Sequence, residues 1–403
     1  MAKKNDIDPR LQALINQTSS RRRFLGRGAI VLGGVAMGPT LLAACGSSSK
    51  TATRSATTST AFPAETVPAT GNLRISNWPL YIGTDPSTVA AFQTATGITV
   101  DYQENYNDNE EWFAKNKDPL SQKQDIGADL VVPSEFMVAR LIALGWLNQL
   151  NDANIPNKSN VRADLGNADY DPGRHQSLPW MSGMVGLAVN TKVVTKPVTN
   201  IDDLFDPAYK GKVSMLADVR DGLGMILLSQ GNSPADPSTE SMQKAIDLVK
   251  EQKDKGQIRR FTGNNYSDDL TSGNVVIAQA YSGDVAQLQK DNPNLQFVVP
   301  DSGTSSFSDN MVIPYTTKNQ RAAEEWMNWI YDRDNYAALV AQVQYIPVLS
   351  DMADALAKVD PSVASNPLIN PPQATLDKLV AWKTLTDAQE QEYAQLMTAV
   401  TGG

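Results

Sequence analysis

Leu73-Arg-Ile-Ser-Asn-Trp78-Pro-Leu-Tyr81 opens the folded part of this chain: an alternating stretch reads as a short strand and runs into a turn carrying two aromatic rings. Beyond it, short apolar or β-branched runs recur at 98–103, 129–132, 185–189, 213–216, 275–280, 296–299 and 311–313. Between them, 88–96, 136–144, 238–255 and 321–342 read as helices, and Gly97, Gly145 and Gly256 follow the first three, as expected where a helix ends in a left-handed residue. Strands alternating with helices predict an α/β fold with sheets buried on both faces. A length of 403 residues leaves room for two lobes. Ligands of open α/β sheets sit beyond strand ends, which is where Trp78 and Tyr81 fall.

Composition narrows the chemistry. The formal charge is −9, which argues against a nucleic-acid partner, since phosphates call for a basic surface. His175 is the only histidine and Cys45 the only cysteine, so a Ser/His/Asp triad, a histidine-rich zinc site and an internal disulfide are poorly supplied or excluded. No phosphate-binding glycine loop is present, and Gly222-Leu-Gly224 lacks the rest of a dinucleotide fingerprint.

The N-terminal region reads as an export signal. Ser20-Arg21-Arg22-Arg23-Phe24-Leu25 precedes an apolar run at 29–42, shorter than the roughly 20 residues that span a bilayer. Leu42-Ala-Ala-Cys45 then places the single cysteine after small residues. Residues 1–44 are thus expected to be a twin-arginine-like lipoprotein signal, Cys45 the lipidated residue, and 45–70, rich in Ser, Thr and Ala, a flexible tether. The expected location is the outer face of the cytoplasmic membrane.

Further segments gather carboxylates and rings at strand ends: Asp129-Leu-Val-Val-Pro-Ser134-Glu-Phe136, Asp218-Val-Arg-Asp221, Tyr281-Ser-Gly-Asp284, Phe307-Ser-Asp309 and Gln344-Tyr345. Their order and spacing, with Asn77-Trp78-Pro-Leu-Tyr81, resemble the spermidine/putrescine-binding proteins, the substrate-binding components of ABC importers, from Gly71 to about Thr401. The resemblance implies a two-lobed periplasmic-binding-protein fold, class II type, with the ligand cleft between lobes joined by crossover strands. Lobe 1 is expected at 71–183 and 310–349, and lobe 2 at 184–309 and 350–403, with the C-terminal helices.

The resemblance also implies the site. Trp78 and Tyr81 match a first aromatic wall, Ser134 a polar contact, and Phe136 a position that is tyrosine in some relatives. Asp218 and Asp221 match an acidic pair, with Asp221 replacing a glutamate. Tyr281 replaces a tryptophan, and Asp284 matches an aspartate of putrescine-binding relatives. Phe307 and Asp309 match an aromatic-x-Asp contact, Asp309 being the main amine anchor, and Tyr345 matches a tyrosine at the last crossover. Four candidate carboxylates (Asp218, Asp221, Asp284, Asp309) favour a triamine by charge, whereas Lys383, which aligns with a ligand-contacting glutamine, would oppose a cation if it faced the cleft. The expected protein is no enzyme and needs no metal or cofactor. It acts as a monomer that hands a polyamine to an ABC permease driven by a separate ATPase. Another amine-containing ligand on the same fold, or a surface lipoprotein enzyme or sensor, is the alternative.

Overall fold

The computed structural model describes Ala69, residues 71–85 and residues 87–402. The signal, Cys45 and the tether up to residue 68 lie outside the described residues.

Ten strands form the frame: β1 (Asn72–Asn77), β2 (Thr99–Glu104), β3 (Leu130–Val131), β4 (Ser177–Asn190), β5 (Val213–Leu216), β6 (Ile258–Thr262), β7 (Ile277–Tyr281), β8 (Leu295–Val298), β9 (Thr304–Val312) and β10 (Leu379–Ala381). The helices are α1 (Thr88–Thr96), α2 (Asn109–Ser121), α3 (Glu135–Leu144), α4 (Val219–Ser229), α5 (Thr239–Asp254), α6 (Tyr266–Ser272), α7 (Ser282–Leu288), α8 (Gln320–Ile330), α9 (Arg333–Val343), α10 (Ala353–Val359), α11 (Pro361–Ser365), α12 (Gln373–Leu376) and α13 (Asp387–Thr401).

In the first lobe β1 runs parallel to β2 and β3, and in the second β5 runs parallel to β6 and β7. Two long strands join them. Residues 177–184 of β4 pair antiparallel with β9, while 185–190 pair with β7 and β8 in the other lobe. β9 likewise reaches Val131 at one end and β10 at the other. A third link is the bridge between Ser182 and Ile346, whose N–H groups donate to each other's carbonyls at 3.0 and 2.9 Å. These crossings are the two-lobed arrangement expected.

Each lobe buries its own apolar core. One gathers Leu73, Ile75, Phe92, Trp180, Trp326 and their neighbours, and the other Leu187, Met215, Ile226, Ile246, Val285 and theirs. Tyr281 and Phe307 pack against both. Leu356, Val363 and Ile369 enter the first core, so α10 and α11 pack with the first lobe and not with the second, where sequence alone placed 350–369.

Three expectations about elements also change. The run at 321–342 is two helices, because the Asp332 side chain accepts from the N–H groups of Asp334 and Asn335 at 3.1 and 3.2 Å and starts α9 anew. β4 and β9 are far longer than their apolar tracts, extending through Pro179, Gly183 and the serines of 305–308. A register shift between Pro179 and Met181 absorbs the proline. Among the described residues no helix is long and apolar enough to cross a membrane.

Candidate ligand-binding site

The turn after β1 points both of its rings inward. Leu80 adopts φ 60°, an uncommon conformation for a side chain of that size, and this folds Trp78 and Tyr81 toward the same space. Trp78 is fixed by an Nε1–H donated to the Val132 carbonyl at 2.7 Å and by the Tyr106 ring at 4.4 Å. The Tyr81 ring meets Tyr345 edge-on at 4.7 Å.

Asp309, on β9, stands at the centre. The Tyr81 hydroxyl donates to its Oδ2 at 2.8 Å and the Ser134 hydroxyl to its Oδ1 at 2.7 Å. Burial pushes its carboxyl up to about 7, and these hydrogen bonds only partly offset the loss of water. Across the cleft Asp221, in the first turn of α4, accepts from the Tyr281 hydroxyl at 2.9 Å. Burial, and then the neighbouring Asp218, hold the Asp221 carboxyl well above its ordinary value.

Trp78, Tyr81, Ser134, Asp221, Tyr281, Phe307, Asp309 and Tyr345 line one cavity. Asp218 lines an adjoining cavity that shares Trp78, Asp221 and Tyr281 with the first. Phe136 and Asp284 line neither. The Phe136 ring is covered by the Arg220 guanidinium, 3.9 Å from its centroid, and Arg220 is paired with Glu390. Asp218 also has a structural task, its Oδ1 capping α4 by accepting from the N–H of Arg220 at 2.7 Å. Asp284 is fully buried behind the cavity wall and accepts from Tyr266, Tyr345 and Asn264. Lys383 is exposed and pairs with Asp236 at 3.1 Å, so it does not enter the cleft.

Sequence reasoning missed several wall residues, among them Asn107, Asn109, Leu216, Thr262 and Gly263 of the second cavity. Pro79 and Asn264 line the first cavity, and Asp108 the second. Asp108 reads as a helix cap, and it does accept from the N–H of Glu111 at 2.9 Å. Burial, and then Asp218 across the cleft, push its carboxyl up to about 6. Asn264 sits in the Gly263-Asn264-Asn265 turn after β6, and the three turn residues themselves carry neither ring nor charge. Among the described residues no group of His, Cys, Asp and Glu is arranged to hold a metal ion.

The walls come from both lobes, and glycine permits their close approach. A Cβ on Gly283 would lie 2.1 Å from the Tyr345 ring, and one on Gly263 2.5 Å from the Asn107 carbonyl. On the far rim Gln287 Nε2 donates to the carbonyls of Leu80 and Val343, both at 3.0 Å. The site is thus a ring-lined, acidic slot between lobes.

The profile of the family described as bacterial extracellular solute-binding protein matches residues 87–371. The spermidine/putrescine-binding periplasmic protein 1 of Haemophilus influenzae is 27% identical over 339 residues, covering 83% of this chain and 91% of its own. The putrescine-binding periplasmic protein SpuD of Pseudomonas aeruginosa is 28% identical over 350 residues, covering 82% and 92%. Among solved structures, the spermidine/putrescine transporter substrate-binding protein PotD of Streptococcus pneumoniae superposes with a TM-score of 0.67 at 25% identity, over 82% of this chain and 99% of its own. A putative spermidine/putrescine transporter protein of Listeria monocytogenes gives 0.72 at 25%, over 82% and 98%. With the profile spanning most of the folded region, the chain belongs to the bacterial extracellular solute-binding proteins.

Proposed function

We propose that this protein captures a polyamine in the slot and delivers it to an ABC permease. One observation carries the reading: Asp309 and Asp221 are set among Trp78, Tyr81, Tyr281, Phe307 and Tyr345 in one cavity. A linear polyamine is a row of ammonium groups on methylene stems, so it needs carboxylates for the charges and rings for the stem. An ammonium over a ring is worth about 0.5–1 kcal/mol exposed and about 2 desolvated. A buried carboxylate without a counter-charge is costly, so a cation is the ligand that such a site lacks. The similarity to polyamine-binding relatives supports the same reading. No group in the slot is asked to react. Its role is to hold, and release goes to a permease driven by a separate ATPase.

Ligand length follows from where charge lies. Asp284 is engaged within the protein, but Asp108 joins Asp218 and Asp221 around the second cavity. An extended triamine reaching from Asp309 past Trp78 and Tyr281 would be neutralised at both ends, so spermidine is the better fit. We also infer that Cys45 is the acylated residue that tethers the protein, as a monomer, to the outer face of the cytoplasmic membrane after twin-arginine export.

Calorimetry should find that Asp309→Asn and Trp78→Ala each lose tenfold or more in spermidine affinity, about 1.4 kcal/mol per tenfold, while the fold is kept. Wild-type affinity in both would sink the assignment. Asp108→Asn, which keeps the helix cap, should weaken spermidine about three- to tenfold more than putrescine, and equal losses for the two ligands would count against the triamine reading.

The dependence on pH has a definite sign. A carboxyl whose folded pKa is raised, as Asp309's is from 3.8 to about 7, stabilises the unliganded fold below about pH 4, and that contribution is lost as pH rises through 7. A bound ammonium favours the ionised form and reverses the effect. Saturating spermidine should therefore raise the melting temperature more at pH 7.5 than at pH 5.5, and an equal or larger rise at pH 5.5 would refute the pairing. Mass spectrometry of the membrane fraction should find Cys45 as an acylated N-terminus, and a mature protein retaining residues 1–44 would exclude the anchor.

A further inference from the structure

Asn264 is a buried amide with one half unused. Only 7% of the residue is exposed, and it lines the cavity that holds Asp309 and Asp221. Its Nδ2 donates to Asp284 Oδ2 at 3.0 Å. Its Oδ1 is buried and has no partner among the described residues. The direction of the amide is chemically determined, because turning it over would set Oδ1 against a carboxylate oxygen, acceptor against acceptor. Buried acceptors are nearly always satisfied, and leaving one unmade costs free energy. A donor that arrives with the ligand would satisfy Oδ1.

Asp284 has the complementary character. It is fully buried, and the Tyr266 hydroxyl donates to its Oδ2 at 2.5 Å while the Tyr345 hydroxyl donates to Oδ1. Tyr345 and Asn264 both line the cavity, whereas Asp284 does not. The same Tyr266 oxygen accepts from the Tyr281 N–H at 2.9 Å. This carboxylate thus holds wall residues in place from behind, accepting three hydrogen bonds from the protein's own donors.

We propose that Asn264 Oδ1 accepts an N–H of the bound amine, and that Asp284 is the positioning residue that turns this amide toward the ligand. The inference rests on the polyamine reading and refines it. One of the ligand's ammonium groups meets a neutral carbonyl oxygen beside the carboxylates, a contact that selects for N–H donors without demanding another charge.

The test is calorimetry of spermidine and putrescine on the full chain, with melting temperatures of the unliganded variants read alongside. Asn264→Ala should weaken spermidine tenfold or more at little cost in melting temperature. Asp284→Asn should weaken binding too, and the Asn264→Ala/Asp284→Asn double variant should bind within twofold of Asn264→Ala alone, because the two act through one contact. If Asn264→Ala binds within threefold of wild type, the proposed contact is absent. Fully additive losses in the double variant would make Asp284 an independent anchor and overturn its positioning role. A wild-type chain that binds neither amine would instead refute the polyamine reading itself, an outcome separate from any variant's behaviour.

Discussion

The antiparallel pairing of β4 with β9 is the constraint on which the site depends. Met181 lies opposite Asp309 in that ladder, and the same two strands continue into both lobes. Asp309 is thereby placed where the lobes meet, within reach of Tyr81 and Ser134 from one side and under Phe307 and Tyr281 from the other. A carboxylate on a mobile loop would find water when the lobes part. One fixed in a central ladder keeps its position, and it is the surroundings that change.

Charge then opposes closure in the empty protein. Asp108 approaches from the first lobe while Asp218 and Asp221 belong to the second. Burial first and Asp218 second raise the carboxyls of Asp108, which faces Asp218 across the cavity, and of Asp221, which lies in the same helix turn as Asp218. A cation between them would relieve the repulsion and offset part of the cost of lost water. The ligand's preference for the closed form is in this way a property of the walls, since a ligand shifts a conformational equilibrium only by its differential affinity for the two states.

Much of this was legible in the chain because strand ends announce themselves with rings and acids. Trp78, Tyr81, Asp221, Tyr281, Phe307, Asp309 and Tyr345 were found that way, and all line the cavity. What escaped depends on side-chain direction. Asp284 carries the right chemistry in the right segment, yet it points behind the wall to Tyr266 and Tyr345. Asn264 has no pattern of its own, and Asp108 looks like any helix cap. Phe136 was expected in the slot, but a ring attracts the nearest cation, and Arg220 is already there. The crossover halves of β4 and β9 escaped because polar and glycine residues interrupt their apolar pattern where they leave one core for the other.

The contacts that tie the rims together lie outside the cavity: Gln287 on the carbonyls of Leu80 and Val343, Arg220 on Phe136, and Glu390 on α13 near Arg140 at 3.8 Å. None of them touches a ligand in the slot, so they add nothing to discrimination between amines. They do have to break before the lobes can part. Their weight would fall on residence time, since contacts that must break before the lobes part slow the escape of whatever lies between them.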